Sequence, residues 1–315
     1  MYTSFLFLST LLTFFINNII SIWFIIELNF LCFVSFLSYD LKKIHTNGNI
    51  YYFLIQSLGS VLIFIRALNF LIFSNNLFEF FFVIFLVVKL GGAPFQFWYL
   101  KLIQKLRWTS IWLISVWQKL IPLIVMKLLA SYYLLEFGSL RVIIGRINNL
   151  NQKSIKKILG LSSVFSLGWI LLSIIQRKVW IIFILGYGFI LYILLRYLKM
   201  LNFNNIENLE NSNFSILFYI LFFLGLLIIR GIPPFIIFYI KILILIDLIK
   251  LRFLLVFILL IFRIFIIYIY LIIAFSLITF LKNKSFFKSL YFFNTYLLNY
   301  IIYNLLISTW IMYIL

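Results

Sequence analysis

The sequence predicts an all-α integral membrane protein: a polytopic bundle of about eleven transmembrane helices, two of them broken mid-membrane, forming one transmembrane domain over 1–315. Three observations predict it. Hydrophobic residues make up 66% of the 315 and charged residues only 10%, where a soluble domain has roughly 25%. Apolar runs long enough to cross a bilayer core recur along the chain, and its mean hydropathy is +1.19. Finally, all four prolines stand inside such runs beside charged residues.

Taken in order, the spans fall at about 4–20, 22–39, 50–73, 77–100, 108–130, 131–147, 155–176, 178–199, 213–249, 252–281 and 290–314. The first lacks a basic flank and a small-residue cleavage site, so it reads as a retained span. The sixth carries Glu136, Arg141 and Arg146. The ninth exceeds one crossing and contains Gly231-Ile232-Pro233-Pro234, which predicts one broken helix or two short ones.

A formal charge of +19 would point to nucleic acid in a soluble protein. Here the basic residues cluster in alternate loops, which is a topology signal and argues for no nucleic-acid partner. Lys42 and Lys43; Lys101, Lys105 and Arg107; Arg146, Lys153, Lys156 and Lys157; Arg196 and Lys199; and Lys282, Lys284 and Lys288 mark one side. The N-terminus is therefore expected inside and the C-terminus outside. One cysteine, Cys32, and one histidine, His45, leave no ligand set for a haem, zinc or iron–sulfur site built by this chain alone.

A charge at the bilayer centre costs about 2.5–3.5 kcal/mol on insertion scales, so each is a functional candidate. Arg66, Lys127, Asp247 and Arg263 can snorkel or pair and read as structural. Four others stand out. Glu27 is central in its span, Lys89 precedes Gly91-Gly92-Ala93-Pro94, Lys119 precedes Pro122, and Lys241 follows Pro233-Pro234. Proline frees backbone carbonyls, which membranes tolerate only where protein or water satisfies them again. A helix break beside an amine therefore implies a hydrated polar pocket. There desolvation disfavours the ammonium and a carboxylate favours it, so the amine can exchange a proton. Glu27, Lys89, Lys119 and Lys241 form a candidate proton relay, with Pro94, Pro122, Pro233 and Pro234 as helix-break residues.

Lys89-Leu-Gly-Gly-Ala-Pro-Phe-Gln96-Phe-Trp98 followed by Trp117-Gln-Lys119-Leu-Ile-Pro122 resembles the paired signature of the NADH dehydrogenase (ubiquinone) subunit 2 family, antiporter-like proteins of mitochondrial respiratory complex I. Asn151-Gln152, Lys156-Lys157, Ser162-Ser163 and Gly168-Trp169 follow that family's order and spacing, as does Gly231-Ile-Pro233-Pro234-Phe235 with Lys241. The likeness covers about residues 20 to 245; the remainder matches in hydropathy only.

The resemblance implies the animal form, which lacks the family's first three helices, in the mitochondrial inner membrane with its N-terminus on the matrix side and its C-terminus on the intermembrane-space side. It implies that Glu27 and Lys89 are the family's carboxylate–amine pair, Lys119 the central lysine and Lys241 the distal one. It further implies a hetero-oligomer with other core membrane-arm subunits, accessory subunits and lipids such as cardiolipin. NADH, FMN, iron–sulfur clusters and ubiquinone belong to partner subunits, with no cofactor in this chain. Gln96 and Ser166 stand where the family has histidines, Arg230 where it has glycine and Ile240 where it has proline. Two other readings fit the same residues: a stand-alone cation/proton antiporter, and a scaffold subunit without its own proton path.

Overall fold

The computed structural model describes residues 2–16, 18–40, 46–69, 76–129, 133–147, 154–174, 179–201, 224–231, 235–251 and short pieces up to 260. The predicted spans 252–281 and 290–314 thus lie almost wholly outside the described residues, as do Pro233 and Pro234. Every element among the described residues is helical: α1 (Tyr2–Phe15), α2 (Ile19–Asp40), α3 (Thr46–Asn69), α4 (Asn76–Lys89), α5 (Phe97–Lys105), α6 (Trp108–Trp112), a π-turn (Leu113–Trp117), α7 (Gln118–Leu129), α8 (Tyr133–Ile147), α9 (Ile155–Ile174), α10 (Val179–Leu201) and α11 (Ile236–Leu251). Among the described residues, four stretches are long and apolar enough to cross a membrane, Ile20–Tyr39, Trp108–Leu128, Ile155–Ile174 and Val179–Met200, with shorter apolar helices at Tyr2–Phe15 and Asn49–Ile65.

The side-chain distribution argues for lipid as the solvent. Along α10, Ile182, Leu185, Phe189 and Tyr192 are exposed, while Phe183, Tyr187, Ile190 and Leu194 are buried. That is a helical period with large apolar groups on both faces. Meanwhile Ser9, Thr10, Thr13, Gln56, Ser60, Ser110 and Ser115 are buried. Many of the small hydroxyls bond backbone carbonyls three residues back, as Ser9 does to Leu6 and Thr13 to Thr10. Polar groups inside and apolar groups outside is the arrangement that hydrocarbon selects.

The chain divides into two compact units. The first comprises Met1–Gly145 with Leu159–Ile175; the second comprises Arg146–Ile158 and the chain from Gln176 onward. In the first, α2 packs on both α1 and α3. Asn29 Nδ2 donates to Ser9 Oγ at 2.7 Å and Trp23 Nε1 to the Ser60 carbonyl at 2.8 Å, fixing α2 to each neighbour. In the same unit, a Cβ on Gly168 would come within 2.9 Å of the Gly138 carbonyl, so these glycines let α8 and α9 approach backbone to backbone. In the second unit α10 packs on α11, and a Cβ on Gly225 would meet Leu194 at 2.8 Å.

The interruption expected at Pro122 takes a different form. Pro122 stands inside α7 without ending it, and the irregularity is the π-turn Leu113–Trp117 upstream. Proline costs this helix one ladder bond; the π-turn has already shifted the register, with the Gln118 N–H reaching back to the Leu113 carbonyl.

Candidate site for proton transfer

The first helix break is built from its backbone outward. α4 ends at Lys89, and Gly91 follows with φ 62°, a left-handed conformation that glycine adopts without Cβ strain. The Gly92 N–H bonds the Val87 carbonyl at 3.0 Å and the Gly91 N–H bonds the Val88 carbonyl at 2.9 Å. This nested pair of bonds is the Schellman termination of a helix. Two carbonyls in the last turn are capped by side chains: Gln56 Nε2 donates to Lys89 O at 2.9 Å, and Trp98 Nε1 to Val88 O at 3.1 Å. The chain then passes through a cis Ala93–Pro94 bond into α5. A Cβ on Gly91 would lie 2.7 Å from the Cβ of Tyr99, so the turn and α5 are in close contact.

Lys89 is 6% exposed. Its stem lies along Gly59 of α3, where an added Cβ would sit 3.5 Å from Lys89 Cδ. Its Nζ has no hydrogen-bond partner among the described residues, and neither has the buried Oε2 of Glu27. The two side chains interact through space as opposite charges. The carboxylate comes from the middle of α2, while the amine stands in the last turn of α4, where the helix dipole presents its negative end.

Lys119, 5% exposed, lies one turn before Pro122. Its Nζ donates to the Ser163 carbonyl at 3.4 Å and stands 4.9 Å above the Tyr99 ring. The Tyr99 hydroxyl and Ser163 Oγ lie 2.5 Å apart. Ser166 Oγ donates to that same Ser163 carbonyl at 3.0 Å. The first unit thus holds Glu27, Lys89 and Lys119.

The second unit holds Lys241, 2% exposed. Residues 224–230 form a helical stretch that ends at Gly231, with φ 71° and its N–H on the Ile228 carbonyl at 3.0 Å. Lys241, from α11, donates its Nζ to the Arg230 carbonyl at 2.5 Å. Arg230 is within electrostatic reach of Tyr187 on α10. At exposures of 2% to 6%, none of the three lysines lies at a lipid-facing surface; by contrast Lys127 is exposed.

Of the positions that depart from the family pattern, Gln96 precedes α5, is 1% exposed, and has no hydrogen-bond partner for either amide atom among the described residues. Sequence reasoning did not single out Gln56, Gly59 or Tyr99, and it named Ser163 only as part of the family-like motif. One signal was present: Gly91-x-x-Pro94-Phe95-x-x-x-Tyr99-x-Lys101 recurs as Gly231-x-x-Pro234-Phe235-x-x-x-Tyr239-x-Lys241. That repeat marks Tyr99 as part of a break. No group of three or more His, Cys, Asp or Glu comes together among the described residues.

Comparison with known proteins agrees with this architecture. The family model for the transmembrane part of NADH:quinone oxidoreductase and Mrp antiporter proteins matches residues 16–267. NADH-ubiquinone oxidoreductase chain 2 of Anopheles gambiae is 29% identical over 238 residues, covering 72% of this chain and 70% of that one. The protein of the same name from Artemia franciscana is 28% identical over 236 residues, covering 75% and 76%. Among solved structures, a chain of the membrane-bound sulfane sulfur reductase, an archaeal respiratory membrane complex, superposes with a TM-score of 0.77 at 16% identity, covering 98% of this chain and 72% of that chain. A chain of respiratory complex I from Thermus thermophilus gives 0.68 at 18% identity, covering 81% and 64%. The structural likenesses establish the antiporter-like fold, and the family match takes in most of the sequence. This chain belongs to the NADH:quinone oxidoreductase/Mrp antiporter transmembrane family.

Proposed function

We propose that this chain is the subunit 2-type proton-translocating module in the membrane arm of a proton-pumping NADH:ubiquinone oxidoreductase. The observation that carries the reading is the burial of Lys89, Lys119 and Lys241, two of them at helix breaks, among described helices that turn many large apolar side chains outward. An amine withdrawn from water yet within reach of a carboxylate, a carbonyl or a hydroxyl can take and release a proton as its neighbours change charge.

In this reading a change in the Glu27–Lys89 interaction alters the charge on Lys89. The change passes through water to Lys119 and on to Lys241, with uptake from the matrix and release on the opposite side. The chain is one transmembrane domain in the mitochondrial inner membrane, its N-terminus on the matrix side and its C-terminus in the intermembrane space. Its partners are the other core membrane-arm subunits, accessory subunits and lipids such as cardiolipin. NADH oxidation and ubiquinone reduction, with the FMN and iron–sulfur clusters they require, take place in partner subunits.

Replacing Lys119→Met in the assembled complex tests this. The expected result is normal assembly with a reduced proton-to-electron ratio. An unchanged ratio would leave the scaffold reading standing. Proton or cation transport by the purified chain alone would favour the stand-alone antiporter.

A further inference from the structure

The buried charges assigned above leave one unused. Arg141 on α8 is 0% exposed, and none of its three guanidinium nitrogens has a hydrogen-bond partner among the described residues. It sits where the first break makes room for it. A Cβ on Gly92 would overlap Arg141 Cζ, so the glycine leaves the volume that the guanidinium fills. The turn that bears Gly92 also bears Gly91, which packs against Tyr99, and Lys119 Nζ stands 4.9 Å above the Tyr99 ring, so this turn brings a second cation into the electrostatic neighbourhood of the guanidinium.

The chemistry of this pairing is asymmetric. A guanidinium keeps its proton in proteins, whereas a buried ammonium can lose one. Two like charges close together in a low dielectric repel strongly, and the member able to discharge will do so. Around Lys119, α1 carries no charged residue, α5 presents the Tyr99 ring and α9 the Ser163 carbonyl; α4 carries Glu79 and Lys89. Of the charged groups named here, Arg141 is the guanidinium, the one that keeps its positive charge. A side chain needed only to fill space over Gly92 would be served by an apolar residue of similar length, without the cost of burying a charge.

We propose that Arg141 is a positioning residue of the proton path, a fixed positive charge that drives the proton off Lys119 toward the next acceptor. The inference rests on the relay reading of Lys119. The experiment is Arg141→Met in the assembled complex, measuring NADH oxidation and the proton-to-electron ratio across pH. The expected result is retained assembly and NADH oxidation, with the pH profile of the ratio displaced upward by about one unit, the sign required when a like charge is removed from beside a titrating amine. Gly92→Ala, which pushes the guanidinium aside without changing any charge, should displace the profile the same way by less. This second variant serves if Arg141→Met fails to assemble.

A profile that stays in place in both variants, or a ratio lowered equally at every pH, overturns the proposal. Lys119→Met separates the two levels. If that variant pumps normally, the relay reading fails. If it stops pumping while Arg141→Met and Gly92→Ala leave the profile unmoved, only the role given to Arg141 fails.

Discussion

The two helix breaks open with the same glycine turn and differ in where the amine is attached. Both place a glycine at positive φ, 62° at Gly91 and 71° at Gly231, and both close the preceding turn with that glycine's N–H on the carbonyl three residues back. Aligned on these glycines, Lys89 corresponds to Ile229 and Lys241 to Lys101. At the first break the buried lysine ends the first half-helix; at the second it comes from the half-helix that follows. In both cases it lies at the C-terminal, negative end of the first half.

The freed carbonyls are met differently as a result. A neutral amide, Gln56, caps Lys89 O, and the Lys89 ammonium has no hydrogen-bond partner among the described residues and answers to Glu27 through space. At the second break the ammonium of Lys241 is itself the cap. A break is therefore a reusable backbone device, and the sequence around it decides whether its amine is free to respond to a distant charge or tethered to the backbone it stabilises.

This contrast can be broken experimentally, and the largest effect is expected at the turn itself. Gly91→Ala combines a left-handed residue, about 1–2 kcal/mol, with an overlap against Tyr99, about 1–3 kcal/mol. It should deplete the assembled complex, measured by native gel and thermal unfolding. Next, Lys241→Met removes a charge-assisted cap and should cost about 1.5–3 kcal/mol. Lys89→Met, which uncaps nothing, should cost less in the same thermal assay; equal losses would refute the tether. Gln56→Leu leaves the Lys89 carbonyl unsatisfied and should cost about 1–3 kcal/mol, and restoring a donor with Gln56→Asn should recover only part of it if reach matters. Smallest of all, Lys101→Met removes the exposed counterpart of Lys241 and should stay within about 0.5 kcal/mol, with the proton-to-electron ratio unchanged.

Helix positions were legible because lipid leaves a chain few choices: an apolar run of sufficient length becomes a helix. The predicted spans near 22–39, 50–73 and 155–176 have their counterparts in α2, α3 and α9. The breaks at Gly91 and Gly231 were legible from glycine and proline set beside lysine. The effect of Pro122 was not, because the helix runs through it and the irregularity lies in a π-turn upstream that no residue type announces. Gln56 was illegible for another reason. A glutamine in an apolar span signals a polar contact, but which carbonyl it meets depends on how α3 rotates against α4. In the sequence Arg141 is one of three charges in the sixth span, beside Glu136 and Arg146; only the packing of α8 on Gly92 shows it fully enclosed.

The bonds that hold α2 carry a consequence for timing. Trp23 fastens the helix to α3 four residues before Glu27, and Asn29 fastens it to α1 two residues after. With its backbone bolted on both sides, Glu27 has only its own side-chain torsions with which to approach or leave Lys89. Side-chain rotamer changes are the smaller and faster motion, picoseconds to nanoseconds where a side chain is exposed, whereas shifts of whole helices take microseconds or longer. The carboxylate is a fast element mounted in a slow frame, so its response would follow any change in its electrostatic surroundings without delay, and the pace of a cycle through this subunit would be set elsewhere.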